Sequence, residues 1–400
     1  MTSLPARVRE YRCVRARQPI KGIFAEEFER VVTVTEQSDG HAKAEWNKDK
    51  GQKPRIVMTL LVRDEEDIIA ENIEFHRAWG VDHFIITDNL SVDRTPDIIL
   101  EYVRLGFVTP IFESADDYSQ SVWVTRMARM AASELAADWV INCDADEFWI
   151  TQHGDLKDFF ASLDPISVGA VSVQRHDLAL VPVQNRPWHQ EMVYRKAKTL
   201  NHMGKPLPPK AAHRADAKVV VHQGNHAVEG IGGTVLEASE LEILHFPIRS
   251  VDQFENKIKN GGRAYRRNTT LPVAIGDGWR KLYAEYQEKG TLNDYVLKNS
   301  YDPDHLMRCL AAGELIRDLR IASFFGDDQK PRRALAHGEP VCDVEGVGAS
   351  FTGNRSVPSD KGLPIRNWRD VSLDRLAGER ADAYCRARSE YFDRLHEADK

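Results

Sequence analysis

The sequence predicts an α/β fold: a Rossmann-like, mostly parallel sheet flanked by helices, followed by a helical C-terminal extension. Three observations lead there. Continuous apolar runs of strand length recur at residues 56–62, 83–87, 107–112 and 139–141, as in strands buried on both faces. Segments with helical apolar spacing separate them. The links are short, and such alternation gives parallel pairing with helices on both faces.

Residues 1–53 precede this pattern and are polar and rich in basic residues. Val31-Val32-Thr33-Val34-Thr35 and His41-Ala42-Lys43-Ala44-Glu45-Trp46 flank Ser38-Asp39-Gly40, which predicts a β-hairpin in an accessory segment. After the first strand, Arg63-Asp64-Glu65-Glu66-Asp67 places acids where the first turn of a helix would favour them. Ile68, Ile69, Ile73, Phe75, His76 and Trp79 carry that helix to a stop at Gly80. The second strand ends at Asp88. Thr95 with Pro96 marks the next helix start, and Ile98, Ile99, Leu100, Tyr102 and Val103 carry it to Gly106. A third strand over 107–112 and a helix over 121–137 lead to the fourth strand.

That strand runs into Asp144-Ala145-Asp146-Glu147-Phe148-Trp149. Acids packed at the end of a buried strand repel one another and desolvate badly, and a divalent cation relieves both costs. In extended chain Asp144 and Asp146 point to one side, so Mn²⁺ or Mg²⁺ could meet both and complete its shell with phosphate oxygens. Ligands on parallel sheets sit at the carboxyl ends of strands, where Asp88 and Asp144 both lie. No G-x-G-x-x-G follows the first strand, which argues against the usual dinucleotide site.

Composition narrows the classes. A net charge of −7 argues against a nucleic-acid partner, and 42% hydrophobic residues suffice for a large core. Five scattered cysteines (Cys13, Cys143, Cys309, Cys342, Cys385) without a C-x-x-C point to a reducing compartment and no zinc site. There is no leader-like apolar stretch and no 18-residue apolar run, so a cytoplasmic protein is expected, without a transmembrane segment and at most peripheral to the inner membrane face. Nothing in the sequence sets the oligomeric state.

The second half is mixed. A short helix is expected over 155–163, strands over 168–174, 192–198, 218–222 and 241–245, and a proline-rich loop over 205–210. His245 ends an apolar strand before Phe246-Pro247, and neutral imidazole is an acceptable third ligand beside two carboxylates. Arg249, Lys257 and Arg263 follow on a helix, where they could grip a diphosphate. The glycine-bearing segment 224–233 could form a loop over the site. Beyond 268 the pattern is helical, with a charged, glycine- and proline-rich loop over 327–364 and a terminal helix over 371–398.

In this order and spacing, Arg63-Asp64-Glu65-Glu66, the run from Asp88 to Thr95, and Asp144-Ala145-Asp146-Glu147-Phe148 resemble family-2-type glycosyltransferases of the GT-A fold. They come nearest to the branch whose motif reads D-x-D-E-F. The run from Leu244 to Ser250 and the run from Lys257 to Tyr265 resemble it too, with Asp64 standing where Asn is usual. The resemblance covers about residues 55–267. It implies a glycosyltransferase core over 54–267, with a nucleotide-binding half over 54–150 and an acceptor half over 151–267, and an extension over 268–400. It also implies a nucleotide-sugar donor and a glycan or other hydroxyl acceptor. Glu65, Asp88 and Asp93 would contact the nucleoside, with Arg249, Lys257 and Arg263 as further donor-binding residues. Asp144, Asp146 and His245 would hold the metal, which neutralises charge on the departing nucleoside diphosphate. Transfer would invert the anomeric centre and could serve surface polysaccharide or glycoconjugate synthesis. An inverting enzyme needs a general base, and the candidates are Asp177, Glu147 and His226, with Glu229 nearby.

Two other classes compete. A non-catalytic nucleotide-sugar or glycan-binding protein could share the fold, but it would have no reason to keep a costly acid cluster. A metal-dependent phosphohydrolase could use Asp144 and Asp146, yet in HAD-type phosphatases the D-x-D follows the first strand and continues with Gly or Thr, whereas here it follows the fourth and continues with Glu-Phe.

Overall fold

The computed structural model describes residues 53–181, 186–200, 206–272, 274–326 and 368–398, with side chains in the last segment described from 378, apart from 396 and 398. The chain separates into two compact units, Met1–Lys53 and Pro54–Lys400, and the second carries every described helix and strand. The hairpin expected near 31–46 and the loop expected over 327–364 lie outside the described residues.

The apolar runs form β1 (Ile56–Val62), β2 (His83–Asp88), β3 (Val108–Phe112) and β4 (Trp139–Asp144), separated by α1 (Ile69–Ala78), α2 (Thr95–Arg104) and α3 (Gln120–Ser133). The next stretch holds β5 (Glu147–Thr151), α4 (Leu156–Ser162), β6 (Val168–Val173), β7 (Arg175–Asp177), α5 (Trp188–Glu191), β8 (Tyr194–Lys196) and β9 (Lys210–Arg214). Then come β10 (Val220–Val221), β11 (Val228–Glu229), β12 (Thr234–Glu237) and β13 (Leu241–His245). The C-terminal part contains α6 (Val251–Arg267), α7 (Asp277–Lys289), α8 (Asn293–Lys298), α9 (Pro303–Ala311), β14 (Leu315–Arg317), α10 (Arg320–Gly326) and α11 (Trp368–Ala398). No described helix is long and apolar enough to cross a membrane.

The main sheet has the order β12-β6-β9-β4-β1-β2-β3, and only β9 runs antiparallel to its neighbours. This is the mixed α/β architecture expected from the sequence. The chain steps from β1 to β2 and β3 on one side, then returns to lay β4 on the other. That reversal opens a crevice beyond the carboxyl ends of β1 and β4. In register, Leu61 lies beside Asp144, so the loop after β1 and the acidic motif after β4 face one space.

A second sheet, β5-β13-β7, stands against the first. Its register sets His245 opposite both Glu147 and Asp177. Phe148 and Trp149, directly after the acids, are fully buried. Phe148 packs among Phe75, Trp188 and Phe246 at ring separations of 5.3, 5.6 and 5.4 Å. Burying each such ring is worth about 2–3 kcal/mol. The aromatic pair thus anchors the acidic turn to the core.

Several local expectations change. The acids after β1 do not form a helix turn, because α1 begins only at Ile69 and Asp64 takes a left-handed φ of 54°. α3 ends at Ser133 rather than Ala137, where Ala136 (φ 47°) turns the chain toward β4. Lys210 opens strand β9 rather than closing the proline-rich loop. The glycine pair in α6 has a packing cause. A Cβ on Gly261 would come within 2.6 Å of the Trp279 ring, and one on Gly262 within 2.3 Å of Tyr283 Cβ, so α7 sits directly on α6 there.

Candidate active site

Asp144 ends β4, Ala145 and Asp146 form the turn, and Glu147 starts β5. The motif is therefore a turn rather than extended chain, and its two aspartates take different cationic partners. Asp144 Oδ2 accepts from Lys210 Nζ at 2.5 Å, and its Oδ1 accepts from Asn225 Nδ2 at 3.1 Å. Asp146 Oδ2 accepts from Lys257 Nζ and lies 3.5 Å from His245 Nε2. Glu147 is fully buried between Lys210 Nζ (3.1 Å) and Arg175 Nη1 (3.3 Å). Each acid thus has a cationic partner from the chain itself.

These partners set the protonation states. Burial opposes charge on Asp146, yet Lys257 and His245 hold its carboxyl well below the usual range. Burial likewise opposes charge on Asp144, and Lys210 outweighs it. His245 Nδ1 is bonded to Asp177 Oδ1 at 2.7 Å. Burial disfavours its imidazolium, but Asp146 and Asp177 push its pKa up to about 9. At neutral pH it is a cation and offers no lone pair.

The donor set can be tested for a metal directly. A three-ligand site needs open carboxylate oxygens and a neutral imidazole. Here both carboxylates are engaged by ammonium groups, His245 is charged, and no group of three His, Cys, Asp or Glu among the described residues could hold an ion. As arranged, a metal at Asp144, Asp146 and His245 would have to displace an ammonium group and the His245 proton.

The loop after β1 joins the crevice to α6 and to the loop after β13. Arg249 is buried and forks onto Asp67, with Nε and Nη2 each at 2.7 Å from an Asp67 oxygen. Its Nη2 also meets Glu65 Oε2 at 2.7 Å, and Nη1 donates to the Phe246 carbonyl at 3.1 Å. Arg249 is thus a fastener between loops, committed to protein acceptors. Burial pushes the Glu65 carboxyl up to about 7, against the pull of Arg249 and Lys257. Asp64 accepts from the Val92 N–H at 2.7 Å and from Asn260 Nδ2 at 2.6 Å.

The remaining candidates divide. Asp88 is fully buried, with Oδ1 accepting from the Ser91 N–H and Oδ2 from the Tyr384 hydroxyl. Asp93 accepts from the backbone N–H groups of Glu66 and Thr95 and is a loop brace. Arg263 lies along α6 beyond Lys257 and faces Asp116 at 3.6 Å, alongside Arg63 and Arg267. Asp177 is occupied by His245. Glu229 is exposed and lies 3.6 Å from His222. His226 Nδ1 donates to the Pro209 carbonyl at 2.8 Å, which leaves Nε2 carrying the lone pair. Burial, with Lys210 and Arg175 nearby, pushes its pKa down to about 4.

Residues missed in the sequence include Lys210, Arg175, Asn225, Asp67 and Asn260. One signal was available only from backbone conformation. Asp64, Leu90, Tyr118 and Asn225 take φ between 54° and 64°, the first three in loops and Asn225 in a short 3-10 turn. Backbone strain of this kind collects at functional sites.

The model of glycosyltransferase family 92 matches residues 58–271, which span the whole of this crevice. The chain belongs to glycosyltransferase family 92. It is therefore a glycosyltransferase. No curated protein matches it. Similar solved structures include S. aureus TarS 1–349 in complex with UDP, at 13% identity and a TM-score of 0.32, covering 58% of this chain and 71% of that one. Against a further TarS structure the identity is 12% and the TM-score 0.31, covering 60% of this chain and 44% of that one. Glucosyl-3-phosphoglycerate synthase from Mycobacterium tuberculosis, in complex with Mn²⁺, UDP and glucosyl-3-phosphoglycerate, is 18% identical with a TM-score of 0.23. It covers 30% of this chain and 44% of that one. The assignment rests on the family match, and α11 lies beyond the matched residues.

Proposed function

We propose that this family 92 glycosyltransferase takes a nucleotide-sugar donor in the crevice between β1 and β4 and transfers its sugar to a hydroxyl acceptor. The observation that supports this most is the ring of built-in cations at the acidic turn: Lys210, Lys257 and the His245 imidazolium, each held by a carboxylate. A departing nucleoside diphosphate gains negative charge as the glycosidic bond breaks. Fixed cations in a poorly solvated crevice stabilise that charge without reorganising. In this reading Asp144, Asp146 and Asp177 hold the cations in place.

The acceptor hydroxyl attacks the anomeric carbon as the bond to the diphosphate oxygen breaks. One displacement of this kind inverts the centre. The hydroxyl proton goes to a base, and His226 Nε2 is the candidate whose lone pair is uncommitted. Glu147 and Asp177 are each held in ion pairs.

A second reading has Mn²⁺ or Mg²⁺ take the place of Lys257 and of the His245 proton, between Asp146 Oδ2 and His245 Nε2, which lie 3.5 Å apart. One screen separates the two. UDP-, GDP-, CMP- and dTDP-sugars are tested by thermal shift with Mn²⁺ and with EDTA, on wild type and Asp146→Asn. Donor binding raises the melting temperature by mass action. The built-in-cation reading expects one nucleotide class to shift wild type equally in both buffers, and Asp146→Asn less. A shift seen only with Mn²⁺ favours the metal reading. No shift with any donor overturns both.

A further inference from the structure

The helix α11 lies outside the family-matched residues, yet it reaches the carboxyl end of β2. Tyr384 is 3% exposed, and its hydroxyl donates to Asp88 Oδ2 at 2.7 Å. Arg388 Nη2 donates to the Ser91 carbonyl at 2.9 Å. Its Nε is buried without a hydrogen-bond partner and lies 3.9 Å from Asp88 Oδ2. Phe112 at the end of β3 meets the rings of Tyr384 and Tyr391 edge-on, at 6.3 and 5.8 Å. The helix is thus fixed to the sheet by apolar contacts and to the β2–α2 loop by two polar ones.

That loop is joined residue by residue to the loop after β1. Ser91 Oγ accepts from the Asp64 N–H at 3.0 Å, and Thr95 Oγ1 accepts from the Glu65 N–H at 2.8 Å. The Arg94 N–H donates to Glu66 Oε2 at 2.9 Å. Asp64 and Leu90 both sit at positive φ in this pair of loops, so the conformation must be held from outside. At its far end the pair delivers Glu65 to Arg249, beside Lys257.

We infer that Tyr384 and Arg388 are positioning residues for the nucleoside end of the donor site. They act by fixing Asp88 and Ser91, and through them the two loops that wall the crevice beyond β1 and β2. The inference rests on the nucleotide-sugar reading above. It assigns Asp88 an internal role: Oδ1 holds the Ser91 N–H of the loop, Oδ2 the Tyr384 hydroxyl of α11, and the nucleoside meets the surface that the loop presents.

The test uses the full chain with Tyr384→Phe, Arg388→Gln and, as a control, Tyr391→Phe. Tyr391→Phe keeps the ring on Phe112 and removes no bond to Asp88. UDP, GDP, CDP and dTDP are titrated one by one, and inorganic pyrophosphate separately. For the diphosphate that wild type binds, Tyr384→Phe and Arg388→Gln are each expected to bind about tenfold more weakly, the scale of one lost hydrogen bond to a charged or buried group. Pyrophosphate should bind all four proteins alike, because Lys257 and Lys210 are untouched. A general loss of structure would weaken both probes together, which would overturn the inference. So would unchanged or tighter nucleotide binding in the two variants; tighter binding would make Tyr384 a plug over Asp88. If Tyr384→Phe fails to fold, the partly exposed Arg388 variant decides alone. If wild type binds none of the four nucleotides, the donor reading itself falls and takes this inference with it.

Discussion

Lys257 of α6 closes onto Asp146, 111 residues earlier in the chain, in the turn between β4 and β5. The contact ties the helix that follows β13 to the acidic motif. It puts an ammonium group on the carboxylate that the sequence assigns to a divalent ion. Asp146 is only 3% exposed, so it cannot simply be left to water.

Lys257→Met therefore tests what occupies that place. Removing one partner of a buried ion pair costs about 3–5 kcal/mol, and here about 2–3 kcal/mol because His245 remains beside Asp146. Mn²⁺ should then bind the freed carboxylate and restore part of the lost melting temperature. Wild type, with Asp146 already paired, should shift less. Thermal melts with and without Mn²⁺ on both proteins check this. Equal Mn²⁺ shifts would mean that Lys257 does not compete with metal.

Lys210→Met should cost more than Lys257→Met. Lys210 Nζ serves two acids at once, Asp144 at 2.5 Å and Glu147 at 3.1 Å, and Glu147 is fully buried. Arg175 alone would be left to balance Glu147. A loss of about 3–5 kcal/mol follows. Adding Glu147→Gln should recover part of it, since the amide needs no counter-ion. Urea melts of the two single variants and the double variant measure the coupling. Additive losses would sink the shared-lysine account.

Much of this frame was legible in the chain. The four apolar runs and their helices are local patterns, and each survives as an element within a residue or a few. β13 follows its expected bounds because it is short, apolar and closed by Phe246-Pro247. Lys210 was not legible, because β9 is held in place by β4 and β6 rather than by its own residues, Lys-Ala-Ala-His-Arg. That Asp144 and Asp146 take different partners was hidden for a related reason. The sequence shows acids and an alternation, but the turn at Ala145-Asp146 exists because β5 reverses to pair with β13. Tyr384 pairs with Asp88 across 296 residues, a separation that no local pattern reports.

His226 gives a kinetic expectation. Its Nδ1–H is fixed on Pro209, so Nε2 can accept a proton, and positioned bases contribute about 10²–10⁴-fold in rate. His226→Gln should lower kcat by that order with little change in donor KM. The low-pH limb of kcat/KM in wild type should report a group near pH 4, where burial and the neighbouring cations place this imidazole. That limb should vanish in the variant. A variant that keeps wild-type kcat would return the base to the acceptor side or to water.

Stability should fall as pH drops below neutrality, and buried histidines should be the cause. Burial pushes His76 and His83 down to about 3 and His213 down to about 4, against an unfolded value of 6.5. His76 shows why. Its Nδ1 donates to the Asn72 carbonyl at 2.9 Å, and its Nε2 accepts from the Trp149 N–H at 3.0 Å, so only the neutral ring fits. Below pH 6.5 the unfolded chain takes up protons that the folded state refuses. The stabilisation is complete above 6.5 and erodes as pH falls toward 3–4. Each such group contributes a slope of about 1.4 kcal/mol per pH unit in that window. Glu65 works the other way: its folded value of about 7 against 4.5 adds stability as pH falls from 7 to 4.5. With His226, which burial also pushes down to about 4, four histidines oppose one glutamate, so the net slope between pH 6 and 4.5 should be a loss on acidification. His76→Gln should flatten it by about a third. Melting temperatures across that range on wild type and variant decide. An unchanged slope would mean that His76 already takes up its proton in the folded state.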